Sequence, residues 1–202
     1  MLANPMASRE IPTLGTVRTI REQARSYRHN RVPVNSYSKS AWEKAVRPRV
    51  YIETSIPSYL TARPSNDIRA AANQNTTLEW WETRRSSFEL FISEFVTIEV
   101  SLGNLEAARK RLEVITELPE LSVTEEARVL AKALISEGAI PSQAEVDAYH
   151  IAVAAVNGIE YLLTWNCTHI ANAVMRPKIE AVCRQQGFEP PIICTPQELM
   201  GG

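Results

Sequence analysis

The sequence predicts an α/β fold, with a small parallel sheet flanked by helices on both faces. Short apolar segments alternate with segments of helical length, which is typical of strands joined by helical crossovers. Two capping-box sequences, Ser142–Glu145 and Thr195–Glu198, mark helix starts. The apolar and charged fractions, 45% and 22%, are those of an ordinary globular chain. No apolar run reaches the roughly 18 residues of a membrane span, so we expect no transmembrane helix.

The first half of the predicted domain alternates between strand and helix. The apolar segment VYI predicts a strand over residues 49–53, which Pro57 prevents from continuing. A helix is predicted over residues 66–84, and SFELFI over residues 87–92 is a second strand. Ser93 could cap the helix that follows. Residues 104–116 carry apolar side chains at helical spacing and predict another helix.

The second half continues the alternation. A short strand at 121–123 precedes a helix at 124–136, and the capping box at Ser142 opens a helix that runs to about Val156. The last elements are a strand, a helix, a strand and a short helix begun by the second capping box, at 160–164, 177–187, 192–194 and from Thr195. This alternation predicts a single α/β domain.

The net charge of −1 conceals a basic segment followed by an acidic one. Residues 1–49 contain ten Lys or Arg and three Glu, a net +7, whereas residues 50–202 contain twelve Lys or Arg and twenty acids, a net −8. We predict a basic, disordered N-terminal extension over residues 1–48, with one short helix at 17–27, and a domain over residues 49–202. The extension could bind nucleic acid or a partner, serve as a transit segment, or arise from an upstream start codon.

Four polar side chains follow predicted strands or open the helices beyond them. Open parallel sheets bind ligands at the carboxyl ends of their strands, so each is a candidate site residue. A lone acid at a strand end is commonly just solvated, and no single position decides the matter. The four residues are Glu53, Glu99, Asp147 and Asn166.

Asp147 lies in the otherwise apolar helical segment VDAYHIAVAA, where aspartate is a poor helix former. Two explanations stay open: a favourable interaction with the dipole at the helix N-terminus, or a metal ion. His150, three residues on, is either a satisfied core histidine or part of the site. His169 could cap a helix or contact phosphate.

Carboxylates gathered in one cleft repel one another unless a cation is present. Oxygen ligands, few histidines and three cysteines without CxxC spacing favour Mg²⁺ or Mn²⁺ over zinc. An ion held by two or three acids can bind a phosphodiester and lower the pKa of a water molecule, which is metal-assisted hydrolysis. The same cysteines favour a reducing compartment, and we expect a cytoplasmic protein.

Residues 49–200 resemble the PIN-domain family, in particular the VapC-type ribonuclease toxins of bacterial toxin–antitoxin pairs. The similar segments cover the two strand ends and the two helices that carry the candidate residues, and they occur in the family's order. They are Tyr51-Ile52-Glu53-Thr54-Ser55, Ser93-Glu94…Glu99, Asp147-Ala148…Ala152…Ala154 and Leu162-Leu163-Thr164-Trp165-Asn166-Cys167.

The resemblance implies a metal-dependent endoribonuclease that hydrolyses RNA phosphodiester bonds and is the toxin of a toxin–antitoxin pair. It implies Mg²⁺ or Mn²⁺ as cofactor, an RNA substrate, a cognate antitoxin protein and a homodimer, with no membrane partner. Glu53, Glu99 and Asp147 would be metal ligands, with Asn166 at the fourth catalytic position. Ser55 would orient the first acid or contact a water on the metal.

Two positions depart from the family's pattern. Glu53 is one methylene longer than the usual aspartate, so the metal must lie further from the strand. Asn166 replaces the fourth acid, and its amide brings no charge, which should weaken metal binding. Two alternatives therefore stay open: a non-catalytic PIN-like module that binds RNA or a protein through the same cleft, and a DNA-directed nuclease of the same fold.

Overall fold

The computed structural model describes residues 47–201. The predicted N-terminal extension, including its helix at 17–27, lies outside the described residues apart from Arg47 and Pro48. The domain boundary after residue 48 therefore stays a prediction. Among the helices of the described residues, none is both long and apolar enough to cross a membrane.

Strands and helices alternate along the described chain. The strands are β1 (Arg49–Ile52), β2 (Glu89–Ser93), β3 (Glu120–Leu121), β4 (Tyr161–Leu163) and β5 (Ile192–Cys194). The helices are α1 (Ser55–Thr61), α2 (Ile68–Thr83), α3 (Glu94–Ser101), α4 (Leu105–Ile115), α5 (Glu125–Ser136), α6 (Glu145–Val156) and α7 (Arg176–Gln185). Single 3₁₀ turns occupy Arg85–Ser87 and Ser142–Ala144.

The five strands form one sheet in the order β3-β2-β1-β4-β5, and every pair is parallel. Val50, Tyr51 and Ile52 of the central strand β1 are fully buried, as the continuous apolar run of an interior parallel strand requires. Helices α1 to α4 pack mainly with one another, α5 packs against α6 and α7, and α3 also contacts α6. These two layers and the all-parallel sheet confirm the predicted α/β fold.

The order of the strands reverses next to β1. The chain moves from β1 outward to β2 and β3, then returns to β4 on the other side of β1 and continues to β5. Right-handed crossovers in opposite directions place their helices on opposite faces of the sheet. The carboxyl ends of β1 and β4 therefore border the crevice at which open α/β sheets bind ligands.

Helix α1 follows β1 directly and was not predicted. β1 already ends at Ile52, and Pro57 lies in the first turn of the helix, where its missing N–H leaves no bond unmade. Ile56 and Pro57 are the buried residues of this helix. The consequence for the site is that the N-terminus of α1 stands immediately beyond Glu53.

The two predicted capping boxes have different outcomes. Residues 142–144 form a 3₁₀ turn, and α6 begins at Glu145 without a side-chain cap, so the first box is wrong. In the second, Thr195 N donates to Glu198 Oε2 at 2.8 Å, and Glu198 N donates to Thr195 Oγ1 at 3.3 Å. These reciprocal bonds close a turn and not the predicted short helix.

Candidate functional site

Glu53 leaves the central strand at the crevice between β1 and β4. Its backbone N–H still donates to Leu163 O at 3.1 Å, so the sheet holds its main chain in place. Thr164 follows β4 and donates in the same way to Cys194 O at 3.0 Å. Each residue is thus positioned by a ladder bond beyond the end of its own strand.

The carboxylate of Glu53 is buried, with 6% of the residue exposed. Its Oε2 accepts hydrogen bonds from Ser55 N at 3.1 Å, Ser55 Oγ at 2.5 Å and Thr164 Oγ1 at 2.6 Å. These donors are uncharged, so they fix the carboxylate in position without placing a positive charge beside it. Because all three reach the same oxygen, Oε1 is the atom of Glu53 that is open to a ligand.

Glu99, on α3, lies across from α1 and α6. Its Oε2 accepts a hydrogen bond from Thr54 Oγ1 at 2.5 Å and lies 2.9 Å from His150 Nε2. Partial burial acts to raise the pKa of Glu99, but the hydrogen bond and charge of His150 and the Thr54 hydrogen bond outweigh it. The pKa of Glu99 is therefore lower than its ordinary value, and the carboxylate is ionised at neutral pH.

His150 connects Glu99 to a buried pair of hydroxyl groups. Its Nδ1 lies 2.7 Å from the Tyr51 hydroxyl, which in turn lies 2.6 Å from Ser93 Oγ. Ser93 stands at the N-cap position predicted for it but makes no capping bond, because its hydroxyl bonds Tyr51 instead. Burial raises the pKa of Tyr51, so its hydroxyl stays protonated.

Glu53, Glu99 and His150 together form a cluster that fits a divalent cation. Each offers one ligand atom, and the three atoms lie within 4.8 Å of one another. Two carboxylate oxygens and one imidazole nitrogen are a donor set suited to Mg²⁺, Mn²⁺ or a later transition metal. The cluster stands at the crevice where the strand order reverses.

Asp147 and Asn166 meet in a second group beside the cluster. Asn166 Nδ2 donates to Asp147 Oδ1 at 3.0 Å, and His169 Nδ1 lies 2.7 Å from Asp147 Oδ2. Asn166 Oδ1 accepts a hydrogen bond from His169 N at 3.1 Å. Asn166 N donates to Thr164 Oγ1 at 2.8 Å, so Thr164, which also bonds Glu53, connects the two groups.

The predicted site residues thus fall into two linked groups. Glu53, Ser55 and Glu99 belong to the first, and Asp147 and Asn166 belong to the second. Four side chains that complete these contacts are not among the site residues that the sequence predicts. They are Thr54, His150, Thr164 and His169.

A signal for some of these residues was present in the sequence. His150 lies three residues after Asp147 on one helix. Thr54 directly follows Glu53, and Thr164 lies two residues before Asn166. No local pattern, however, distinguishes a histidine that bonds a distant glutamate from one that is satisfied within the core. The partner of each residue depends on the packing of separate elements.

A separate cleft of about 530 Å³ lies at the opposite end of the sheet. Its lining includes Arg47, Phe88, Glu89 and Pro119, at the amino ends of β1 and β2 and next to β3. It contains none of the predicted site residues. The chemistry of the acids therefore belongs to the strand-end crevice and not to this cleft.

No family model matches the sequence, and no curated protein matches it. Among solved structures, the chain is similar to one described as VapBC2 from Rickettsia felis bound to a DNA fragment from their promoter. The match has a TM-score of 0.44 and 14% sequence identity, and it covers 73% of this chain and 98% of that chain. A likeness this distant assigns no activity to the chain.

Proposed function

We propose that this chain is a metal-dependent endoribonuclease that hydrolyses RNA phosphodiester bonds. One observation carries the proposal: Glu53 and Glu99, from separate elements, place carboxylate oxygens within 4.8 Å of each other. Carboxylates this close repel one another unless a cation is bound between them. The hydroxyl and amide donors around Glu53 carry no charge, so its negative charge is left for a ligand to balance.

The protein's own residues would hold the ion and fix the geometry. Glu53 and Glu99 would bind it, Ser55 and Thr164 would keep Glu53 in position, and Thr54 would do the same for Glu99. A bound Mg²⁺ or Mn²⁺ supplies charge neutralisation at a phosphodiester and lowers the pKa of a water molecule. The lowered pKa of Glu99 keeps that carboxylate ionised before the ion arrives, so no proton has to leave Glu99 on binding.

Asp147 is proposed as a third ligand and Asn166 as its positioning residue. A carboxylate has about four lone-pair sites, so the bonds from Asn166 and His169 leave one site on each oxygen of Asp147. Asn166 brings no charge to the fourth position and instead orients Asp147. The resulting site carries three acids.

RNA as the substrate is supported by the four segments that resemble the PIN-domain family. The same resemblance supports a toxin role, a cognate antitoxin protein, a homodimer and a cytoplasmic location. A short reading frame that overlaps or adjoins the gene upstream, and whose product binds this chain, would support the toxin role. A binding experiment with that product and the full chain tests it.

A second candidate function is a non-catalytic module that binds RNA or a protein. The contacts of Asn166 favour it, because its side-chain amide and carbonyl are both used within the protein. A site with this side chain in the fourth position has less negative charge to retain a metal. Such a module would bind single-stranded RNA in the crevice without cutting it.

Cleavage of labelled oligonucleotides by the purified full chain distinguishes these functions. Single-stranded RNA and DNA of one sequence are incubated with Mn²⁺, Mg²⁺ or EDTA, and products are separated on gels. We expect RNA cleavage only with metal, and Glu53→Gln should lower the rate by at least about a hundredfold. Glu137→Gln, which changes an exposed glutamate that is not a candidate site residue, should cleave at the wild-type rate.

The other outcomes each contradict the proposal in a different way. Cleavage in EDTA, or equal rates for wild type and Glu53→Gln, would show that the acids hold no catalytic ion. Cleavage of DNA alone would assign the alternative of a DNA-directed nuclease. Binding of RNA, measured by fluorescence anisotropy, without cleavage under any metal would assign the non-catalytic module.

A further inference from the structure

We propose that His150 is a direct metal ligand, through Nε2, in the centre formed with Glu53 and Glu99, and that this nitrogen gives the centre a preference for Mn²⁺ over Mg²⁺. The inference rests on the proposed metal-dependent function and adds to it. The resemblance in sequence assigns metal binding to acids alone, whereas the structure places this imidazole among them.

The position of His150 Nε2 suits a ligand. The side chain is 1% exposed, and Nε2 lies 2.9 Å from Glu99 Oε2. Neighbouring ligands on an octahedral ion, with bonds of about 2.1 Å, stand about 3 Å apart. The separation of these two atoms therefore fits two ligands of one ion as well as it fits a hydrogen bond.

The imidazole is held in a fixed orientation. Its ring centroid lies 5.7 Å from that of Tyr51 and 6.5 Å from that of Phe95, which meets it edge-on. The Tyr51 hydroxyl bonds Nδ1 and so directs Nε2 towards the glutamates. Metal-binding histidines are commonly oriented by a hydrogen bond on the second ring nitrogen in this way.

The hydroxyl groups behind His150 allow Nε2 to give up its proton. Without metal, Nε2–H donates to Glu99 Oε2, because a carboxylate only accepts, and Nδ1 shares a hydrogen bond with the Tyr51 hydroxyl. A ligand Nε2 needs its lone pair, so the proton is carried at Nδ1 and donated to Tyr51, whose hydroxyl then donates to Ser93 Oγ. The bond between Nδ1 and Tyr51 and the Tyr51–Ser93 bond are both kept.

The donor set decides the metal preference. Mg²⁺ prefers oxygen ligands, whereas imidazole nitrogen suits transition metals, and Mn²⁺ accepts both kinds of donor. A centre with one nitrogen ligand therefore favours Mn²⁺ over Mg²⁺ more than a centre made of carboxylates alone does. Replacing His150 should remove this preference and leave binding of Mg²⁺ to the carboxylates nearly unchanged.

Pulsed electron paramagnetic resonance of Mn²⁺ bound to the full chain tests the inference directly. We expect modulation from a directly bound ¹⁴N nucleus in the wild type, and a changed pattern when the protein is labelled with ¹⁵N-histidine. In the wild type the His169 imidazole bonds Asp147 and is not one of the proposed ligands, so the signal should persist in His169→Gln. It should disappear in His150→Gln. By calorimetry, His150→Gln should raise the Kd for Mn²⁺ at least about tenfold and leave the Kd for Mg²⁺ within about twofold.

The result that overturns the inference is bound Mn²⁺ without nitrogen modulation in the wild type. That outcome makes His150 a residue that only positions Glu99, and the nuclease proposal then stands. Equal weakening of Mn²⁺ and Mg²⁺ in His150→Gln would lead to the same conclusion. If neither ion binds the wild type, the metal-dependent function itself fails. The labelled wild-type spectrum decides the matter even if His150→Gln does not fold.

Discussion

Three hydroxyl side chains hold the two glutamates of the candidate centre. Ser55 and Thr164 donate to Glu53, and Thr54 donates to Glu99. Hydroxyl donors are short and uncharged, so they fix a carboxylate in position without placing a positive charge beside it. A lysine or arginine in their place would neutralise the acid and remove the reason to bind a cation.

The lowered pKa of Glu99 predicts a stability that declines in acid. Because the folded pKa lies below the ordinary value of 4.5, ionised Glu99 stabilises the fold above that value, and this contribution is lost as the pH falls through the folded pKa. In EDTA, wild type should therefore lose more unfolding free energy between about pH 6 and about pH 3 than Glu99→Gln does. Urea denaturation measures the unfolding free energy of wild type and of Glu99→Gln at each pH. Glu137→Gln is the control for a general charge effect. A difference between wild type and Glu99→Gln that is independent of pH would contradict this cause.

The site residues occupy different positions in the elements that carry them. β1 ends one residue before Glu53, α3 carries Glu99 in its second turn, and α6 carries Asp147 in its first. Helix α4 supports this arrangement from outside, since it packs against both α1 and α3. Its own start is capped by Asn104, whose Oδ1 accepts from Glu106 N at 3.1 Å and Ala107 N at 3.2 Å.

Removing this cap should destabilise the protein by a predictable amount. Asn104→Ala leaves two backbone N–H groups without their side-chain acceptor, and we expect a loss of about 1 kcal/mol in the free energy of unfolding. Asn104→Asp keeps an acceptor at the same place and should remain within a few tenths of a kcal/mol of wild type. Urea denaturation at neutral pH measures both. Equal losses in the two variants would show that the cap contributes nothing.

The sheet places the acids together because its strand order reverses beside β1. Glu53 and Thr164 follow neighbouring parallel strands, so their side chains meet although they are 111 residues apart in sequence. The rigidity of this meeting point depends on the apolar layers on both sides of β1 and β4. Leu162 of β4 is fully buried within them, whereas Ile192 of β5 is 60% exposed.

A matched pair of truncations tests how the sheet is stabilised. Leu162→Ala removes three buried carbon atoms from the centre and should lower the free energy of unfolding by about 2–5 kcal/mol, through lost burial and a residual cavity. Ile192→Ala, on the adjoining strand, should cost less than about 1 kcal/mol, because its side chain is already largely in water. Chemical denaturation of the full chain gives both values. Similar losses would mean that β5 is as deeply packed as β4.

By itself, the sequence determined the α/β alternation and the positions of the acids relative to the strands. Both depend on local signals: apolar runs such as Val50–Ile52, helical spacing, and a polar side chain directly after a strand. Only the tertiary structure decided the partners, because Glu99 and His150 are 51 residues apart and meet through the packing of α3 against α6. Helix α1 was also not predicted, because a proline stops a strand but is equally compatible with the first turn of a helix, where Pro57 lies. Local sequence therefore predicts which residues follow the strands. The pairing of side chains across the crevice depends on which strands become neighbours in the folded sheet.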